Sequence, residues 1–324
     1  MTSRRRAVLT AAFSLPFAAF ALPATAGPAS LPEGFAELRA KDARVARIGY
    51  ALATGNAAFC DTLAPATGLL LHDLAAYGNR DELRAQLGLG GDIGVQSIVP
   101  GSPAAKAGIA PDQTIEAVSA TQVAAIPNED RRRWARLVTI NEIMEQSLRD
   151  SGQIALQIAG RGSVTLKGVS ACATRWEVGE LGQRAVADGT RVVIGEKFPG
   201  FGWEDELLAA VMAHELAHNV LRHRAWLDAR GRKQKDIRLT EREADRLAPW
   251  LLANAGYEPA AALRFMNTWG PDYSGGILRK RTHDGWDERA DAMAAEIPLV
   301  EAQLAAAGRA DWRAHFRREI APEG

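Results

Sequence analysis

The sequence predicts an α+β fold, in which a mainly helical domain with a small sheet carries a second, β-rich domain. The chain has 324 residues, and one small domain rarely needs that many. Short Val- and Ile-rich runs alternate with Gly and Pro turns from Gly88 to Val169, which is typical of strands. Both flanks are rich in Ala, Leu, Glu and Arg with helical spacing, so they predict helices.

The first residues have the pattern of a secretory signal peptide. Arg4-Arg5-Arg6 precedes an apolar run from Ala7 to Leu22, and Ala24-Thr25-Ala26 offers a small-residue cleavage site. The run is shorter than the ~20 residues of a spanning helix, and Pro16 interrupts it. We therefore expect residues 1–26 to be removed on export to the periplasm, by either the general or the twin-arginine route, with no integral membrane segment afterwards.

The overall charge argues against a nucleic-acid partner. Lys and Arg number 39, Asp and Glu also number 39, and the formal net charge is zero. Binding to nucleic acid normally requires a basic face, so we expect none.

Cys60 and Cys172 are the two cysteines of the chain. An even count in an exported protein favours a disulfide, which would join the regions before and after the β-rich domain. The alternative is a pair of buried free thiols.

The region before the β-rich domain, residues 27–80, combines a leader with a helix. Gly27 to Gly34 is rich in Gly, Pro and Ser, as flexible segments are. Phe35 to Leu63 has a helical composition. We expect this helix to pack on the domain formed by residues 171–324.

The β-rich domain is predicted at residues 81–170. A short helix is expected at its start, Arg80–Leu87. The elements expected within it are helices at Ala104–Ala107 and Leu137–Leu148, and strands at Gly94–Val99, Thr114–Val118, Ile154–Ile158 and Val164–Val169. The stretch Val99-Pro100-Gly101-Ser102-Pro103-Ala104-Ala105-Lys106-Ala107-Gly108-Ile109, followed by Ile115, resembles the middle of a bacterial PDZ domain.

The PDZ resemblance implies a peptide partner. In that family an extended C-terminal peptide lies beside a sheet edge while backbone N–H groups hold its carboxylate. Gly88, Leu89, Gly90 and Gly91 form the loop that we expect in this role. The alternative for the domain is a scaffold or lid without peptide binding.

The chemistry-bearing motif lies on a helix predicted from Asp205 to His223. It contains His214-Glu215-Leu216-Ala217-His218. Residues i and i+4 project from one helix face, so both imidazoles can reach one ion. Glu215 is offset by about 100° and can act as general base toward a metal-activated water.

A catalytic zinc site usually takes a third protein ligand, and two residues are candidates. A straight helix would carry His223 away from the metal, so a structural or surface role is expected for it. Glu241 follows Thr240, which we expect to cap a second helix. Glu241 and Asp245 share one helix face, so Asp245 can accept a hydrogen bond from a ligand histidine, whereas Glu243 is expected to be solvated.

Together these segments resemble the gluzincin peptidases of the HtpX-like and BepA-like group. The matching stretches are His214-Glu215-Leu216-Ala217-His218 and Glu241-Arg242-Glu243-Ala244-Asp245. Thr282-His283-Asp284, with Arg289 after it, resembles the family's Thr-His-Pro loop and its arginine. The resemblance implies a catalytic role for His283, as removable ligand or oxyanion donor, and a supporting one for Arg289.

The resulting hypothesis is a zinc metallopeptidase with one Zn²⁺ per chain and polypeptide substrates among exported or misfolded envelope proteins. The Val/Ile run Arg191 to Ile194 is expected to align an extended substrate. Two alternatives remain open. One is a peptide-binding, chaperone-like module with a latent zinc site, and the other is a zinc ion that only stabilises the fold.

Overall fold

The structure is a computed structural model that describes residues 31–128, 134–273 and 285–320. The predicted signal peptide, residues 1–26, lies outside the described residues. Helices take up 54% and strands 19% of the described chain, and the sheets are small, which agrees with the α+β class.

Ten α-helices lie in the described residues, two of them with only four residues each. They are α1 (Glu33–Gly55), α2 (Arg80–Leu87), α3 (Pro103–Lys106), α4 (Ala135–Ser151), α5 (Asp205–Val220), α6 (His223–Ala229), α7 (Gln234–Asn254), α8 (Ala261–Tyr273), α9 (Trp286–Ala307) and α10 (Trp312–His315). None of them has the length and apolarity to cross a membrane.

Eleven strands, all short, belong to four separate sheets of the described chain. They are β1 (Leu63–Ala66), β2 (Leu69–Asp73), β3 (Ile93–Ile98), β4 (Ile115–Val118), β5 (Thr121–Gln122), β6 (Gln153–Ile158), β7 (Gly162–Lys167), β8 (Val169–Cys172), β9 (Arg175–Gly179), β10 (Ala185–Ala187) and β11 (Arg191–Gly195). The sheet orders are β1-β8, β2-β3, β5-β4-β6-β7 and β10-β11-β9.

Two large hydrophobic clusters divide the buried side chains by sequence. One draws on 71–166 and includes Val95, Ile140 and Leu156. The other combines 45–60 with 171–316 and includes Ile48 and Leu216. Helix α1 therefore shares its core with α5 and α7, which carry His214, His218 and Glu241, although it lies far from them in sequence.

Helix α1 ends eight residues earlier than the sequence predicts. Asn56 follows its last residue and is fully buried. Its side-chain amide donates to the carbonyls of Leu52 and Leu251, and its Oδ1 accepts from Trp312 Nε1 at 3.0 Å. These bonds fix a turn, so the chain reaches Leu63 as the start of β1 rather than as helix.

The chain enters and leaves residues 67–168 through a two-stranded neck. Strands β1 and β8 pair antiparallel, with Leu63 opposite Cys172 and Ala66 opposite Val169. A disulfide joins Cys60 to Cys172 beside this ladder. Hydrogen bonds and one covalent bond therefore hold the two ends of the segment together.

The three-stranded sheet next to α5 differs from the expectation for Arg191–Ile194. That run forms β11, which pairs in parallel with β9 and antiparallel with β10. Both of its edges are used, so β11 has no edge left for a substrate and the predicted alignment there is wrong. The outer strands are β9 and β10, and β10 is a three-residue element that the sequence pattern did not predict.

Candidate metal centre

Helix α5 begins where α1 anchors its first residue. Asp205 Oδ1 accepts a hydrogen bond from Arg44 Nε at 2.7 Å, and its other oxygen accepts from Arg47. Asp205 and Glu206 also place negative charge in the first turn, which the helix dipole favours. The interior is rich in Ala and Leu, with Leu208, Met212 and other side chains fully buried.

Helix α5 brings His214 and His218 together on one face, as their spacing predicts. Their Nε2 atoms lie 3.1 Å apart. Only 11% of the His214 side chain and 15% of the His218 side chain are exposed. The two rings therefore lie at the floor of a cleft.

Glu241 reaches both histidines from helix α7. Its Oε2 lies 3.5 Å from His214 Nε2, and its Oε1 lies 3.6 Å from His218 Nε2. Helix α7 begins at Gln234, so the predicted capping role of Thr240 is wrong. Thr240 lies inside the helix, where its hydroxyl donates to the carbonyl of Ile237 at 2.8 Å.

The three side chains form a group that could hold a metal ion. Ligand atoms at about 2.0–2.1 Å from a tetrahedral zinc lie about 3.3 Å from one another. The separations of 3.1, 3.5 and 3.6 Å among His214, His218 and Glu241 match this value. Two imidazoles and one carboxylate leave a fourth position for water or substrate, so the donor set fits zinc.

Asp245 lies behind His214, one turn after Glu241 on α7. Its Oδ1 is 3.0 Å from His214 Nδ1. Arg289 of α9 donates to both carboxylate oxygens, at 2.6 and 2.7 Å. Burial opposes charge on His214, but the carboxylates of Asp245 and Glu241 outweigh this effect and raise its pKa to about 10.

Glu243 is buried although solvation was predicted for it, and His223 takes the structural rather than the surface role of the two predicted for it. Helix α5 stops at Val220, and Arg222 adopts a left-handed conformation with φ 58°. This break turns His223 back toward His218, and their Nδ1 atoms lie 2.9 Å apart. His223 is 1% exposed and Glu243 is fully buried, so a solvated Glu243 and a surface His223 are both excluded.

Glu215 lies beside the three candidate ligands. It lines the same cleft, and its carboxylate accepts a hydrogen bond from the backbone of Ala187 in β10. Burial, with the nearby charge of Glu241, raises the pKa of Glu215 to about 7. A carboxylate with this pKa can accept a proton near neutral pH.

The cleft above the three residues has a volume of about 540 Å³. Strand β10 lies along it, and apolar side chains form much of the rest of its wall. These side chains are Phe198, Val211, Leu227, Ile237, Phe265 and Trp269.

The outer edge of β10 faces away from β11. Arg184 O and Asp188 N bond to β11, to Gly195 and Arg191. Successive residues of a strand direct their N–H and C=O groups to opposite edges. Ala185 and Ala187 therefore direct theirs to the outer edge, as the bond from Ala187 to Glu215 requires.

Asn219 fixes this strand relative to the helix. It directly follows His218, and its Oδ1 accepts from the backbone N–H of Gly189 at 2.8 Å. Its amide donates to the carbonyl of Arg191 at 3.2 Å. Both bonds hold the turn between β10 and β11, so one residue of α5 sets the distance from the strand to the helix face that carries His214 and His218.

The loop around His283 and the glycine loop at Gly88 are the two other predicted site features. Thr282-His283-Asp284 lies outside the described residues. The loop at Gly88 is described, and the N–H groups of Gly88, Leu89 and Gly90 already donate to Ala85 O, Arg84 O and Thr114 Oγ1. A peptide carboxylate needs such groups unbonded, and three of the four N–H groups of the loop are already engaged.

Comparisons of the chain with models of known protein families, with curated proteins and with solved structures give no match.

Proposed function

We propose that this protein is a zinc-dependent endopeptidase of the gluzincin type. The observation that carries the proposal is the convergence of His214, His218 and Glu241, with Glu215 beside them in an open cleft. A site that only stabilises a fold usually has four Cys or His ligands, and it needs no buried carboxylate next to them.

Zinc is the metal that this donor set suits best. Two imidazole nitrogens and one carboxylate are a common catalytic zinc set, whereas magnesium and calcium favour sets composed of oxygen. When bound, zinc supplies Lewis acidity to the reacting carbonyl. His214, His218 and Glu241 are the residues that would hold the ion in place.

Glu215 is the general base in the proposed reaction. Its carboxylate accepts a proton from water as the water oxygen attacks the peptide carbonyl carbon. The same proton then passes to the leaving nitrogen as the C–N bond breaks. The hydrogen bond from Ala187 holds the carboxylate in place, and His283 keeps its predicted part as oxyanion donor or removable ligand.

Strand β10 is the proposed substrate guide. An extended peptide laid along its outer edge would accept from Ala185 N and donate to the carbonyls of Ala185 and Ala187. Backbone pairing tolerates many side chains, which suits misfolded exported proteins as substrates. The predicted signal peptide supports the periplasm as the site of action.

We also propose that residues 171–324 form a zincin-type domain and that residues 81–170 form a PDZ-like domain. We place peptide binding at β2, which precedes residue 81 but pairs with β3 of the PDZ-like segment, rather than at the glycine loop. In the described chain β2 pairs only with β3, and a cavity of about 640 Å³ reaches Leu69 and Leu70 of β2 and Glu145 and Arg149 of α4. A peptide could add to the second edge of β2 there.

The test is cleavage of unfolded casein by the purified, zinc-loaded protein. Loss of a positioned general base typically costs about 10²–10⁴-fold in rate, so we expect Glu215→Gln to lose that much while still binding zinc. Glu204→Gln is the matched control, because Glu204 precedes the same helix and its side chain is 63% exposed; it should retain wild-type activity.

The proposal fails if Glu215→Gln cleaves casein at the wild-type rate, or if a chelator leaves wild-type cleavage unchanged. Peptide binding without any turnover would instead favour a chaperone-like module with a latent zinc site.

A further inference from the structure

We infer that Glu243, held by the segment Arg318–Ile320, sets the proton position on His218 through His223 and so prepares this side chain for the metal. This inference rests on the proposed zinc site. It assigns a role to two buried residues and to a segment about 75 positions further along the chain, none of which contacts the metal position directly.

The carboxylate of Glu243 is surrounded by donors. Its Oε1 accepts from the backbone N–H groups of Glu319 and Ile320, at 2.5 and 2.7 Å. Its Oε2 accepts from Arg318 Nη2 at 2.9 Å. All three donors are directed at its two oxygens, so this side chain accepts hydrogen bonds from its neighbours.

His223 connects this carboxylate to the candidate ligand. Its Nε2 lies 3.1 Å from Glu243 Oε2, so Nε2 must carry a proton to donate. A neutral imidazole then has a lone pair on its other nitrogen. That nitrogen, Nδ1, lies 2.9 Å from His218 Nδ1, so His223 accepts a hydrogen bond there.

The acceptor at His223 leaves one arrangement for His218. Its proton must lie on Nδ1, and its Nε2 then has a free lone pair. Nε2 is the atom that faces His214 and Glu241. Through two successive hydrogen bonds, the buried carboxylate therefore selects the tautomer in which His218 can bind a cation.

His214 and His218 are supported by different carboxylates of helix α7. Asp245 lies directly against His214 Nδ1 and is paired with Arg289. Glu243 acts on His218 through His223 and is paired with Arg318. Loss of either supporting carboxylate should disturb one imidazole and leave the other in place.

The experiment compares wild type with Glu243→Gln. The glutamine oxygen would face the two backbone N–H groups, because they require an acceptor. Its NH₂ group would then donate to His223 Nε2. This change would reverse the tautomers of both His223 and His218. We expect the zinc Kd, measured by competition with a chromophoric chelator, to rise about 10–100-fold, as is typical for residues behind metal ligands.

A second readout does not involve activity or metal. The chain has 6 histidines, so ¹⁵N NMR of histidine-labelled, metal-free protein can resolve their tautomers. We expect the His218 proton on Nδ1 in wild type and on Nε2 in Glu243→Gln. An unchanged tautomer, together with a Kd within twofold of wild type, would overturn the inference.

Arg318→Ala supplies a variant with less effect on folding, since Arg318 is partly exposed. Removing one donor from Glu243 should weaken zinc binding a few-fold, whereas Arg317→Ala, at an exposed neighbouring arginine, should not. Equal zinc affinities for the two alanine variants would count against the role of the segment.

The two proposals can fail separately. A wild-type protein that binds no zinc, yet shows the tautomer change in Glu243→Gln, would remove the peptidase and keep the link. Zinc-dependent cleavage by wild type, with unchanged tautomers in Glu243→Gln, would keep the peptidase and remove the link between Glu243 and His218.

Discussion

At the scale of single residues, one helix supplies three acidic side chains with three different environments. Glu241 points into the cleft, Asp245 lies against His214 and Arg289, and Glu243 lies among the donors of the C-terminal segment. Burial alone would raise the pKa of Asp245 and Glu243, but the donors around each of them outweigh burial and lower it.

Asp42 of α1 has the opposite environment. Burial, only partly offset by a hydrogen bond from Gln96 Nε2, raises its pKa to about 6. The fold therefore favours the protonated acid. The stabilising contribution is complete below the unfolded pKa of about 3.9 and is lost as the pH rises through about 6.

We accordingly predict that Asp42→Asn is more stable than wild type at pH 8, by about 1–3 kcal/mol. The asparagine oxygen can still accept from Gln96 and carries no charge. Urea unfolding at pH 4, 6 and 8 measures the difference, which should close at pH 4. Asp81→Asn, at a side chain that is 89% exposed, should show no such trend, and a pH-independent difference for Asp42→Asn would contradict the explanation.

The sequence carries the information for Glu241 and Asp245 but not for Glu243. Spacing alone puts the first two on one helix face. Glu243 acquires its partners from residues about 75 positions later, which no local pattern reveals. The position of His223 depends on the left-handed Arg222, and an arginine gives none of the warning that a glycine or asparagine would at such a break.

At the scale of elements, the cleft depends on a strand of three residues. Strand β10 consists of Ala185, Val186 and Ala187, and alanine is a weak strand former. Its strand character comes from pairing with β11 and from the bonds of Asn219 to the turn between them. Sequence periodicity predicted β11 but not β10, because β10 becomes a strand through its pairing with β11 and not through its own residue pattern.

The edge of β10 can be tested with a proline. Ala185→Pro removes the N–H group that we expect to pair with substrate, and proline is tolerated on edge strands. A net hydrogen bond contributes about 0.5–1.5 kcal/mol, so KM for an extended peptide should rise about 2–10-fold. Ala185→Ser keeps the N–H group and should behave like wild type. Equal KM values for the two variants would place the substrate elsewhere.

At the scale of the whole molecule, the neck of β1 and β8 connects the two hydrophobic clusters. The strands carry four paired positions, and the disulfide of Cys60 and Cys172 closes a loop with a sequence separation of 112. The cysteine count, together with the export expected from the sequence, favoured this bond. The strand pairing beside it could not be foreseen, because a Pro-containing run such as Leu63–Ala66 does not read as a strand.

Replacing both cysteines with serine should lower the free energy of unfolding by about 2–5 kcal/mol, since the bond restricts the unfolded chain. Urea titration of oxidised wild type and the double variant measures the loss. Reduced wild type should match the variant. A double variant as stable as the oxidised protein would show that the β1–β8 ladder alone holds the neck.

The neck also has a consequence for how such a chain can be built. Ala66 and Val169 lie opposite each other in the ladder, where partner Cα atoms are separated by about 4.5–5.5 Å. Because its two ends lie so close together, the segment 67–168 could be gained or lost as one genetic insertion. A short hairpin turn would then connect β1 directly to β8.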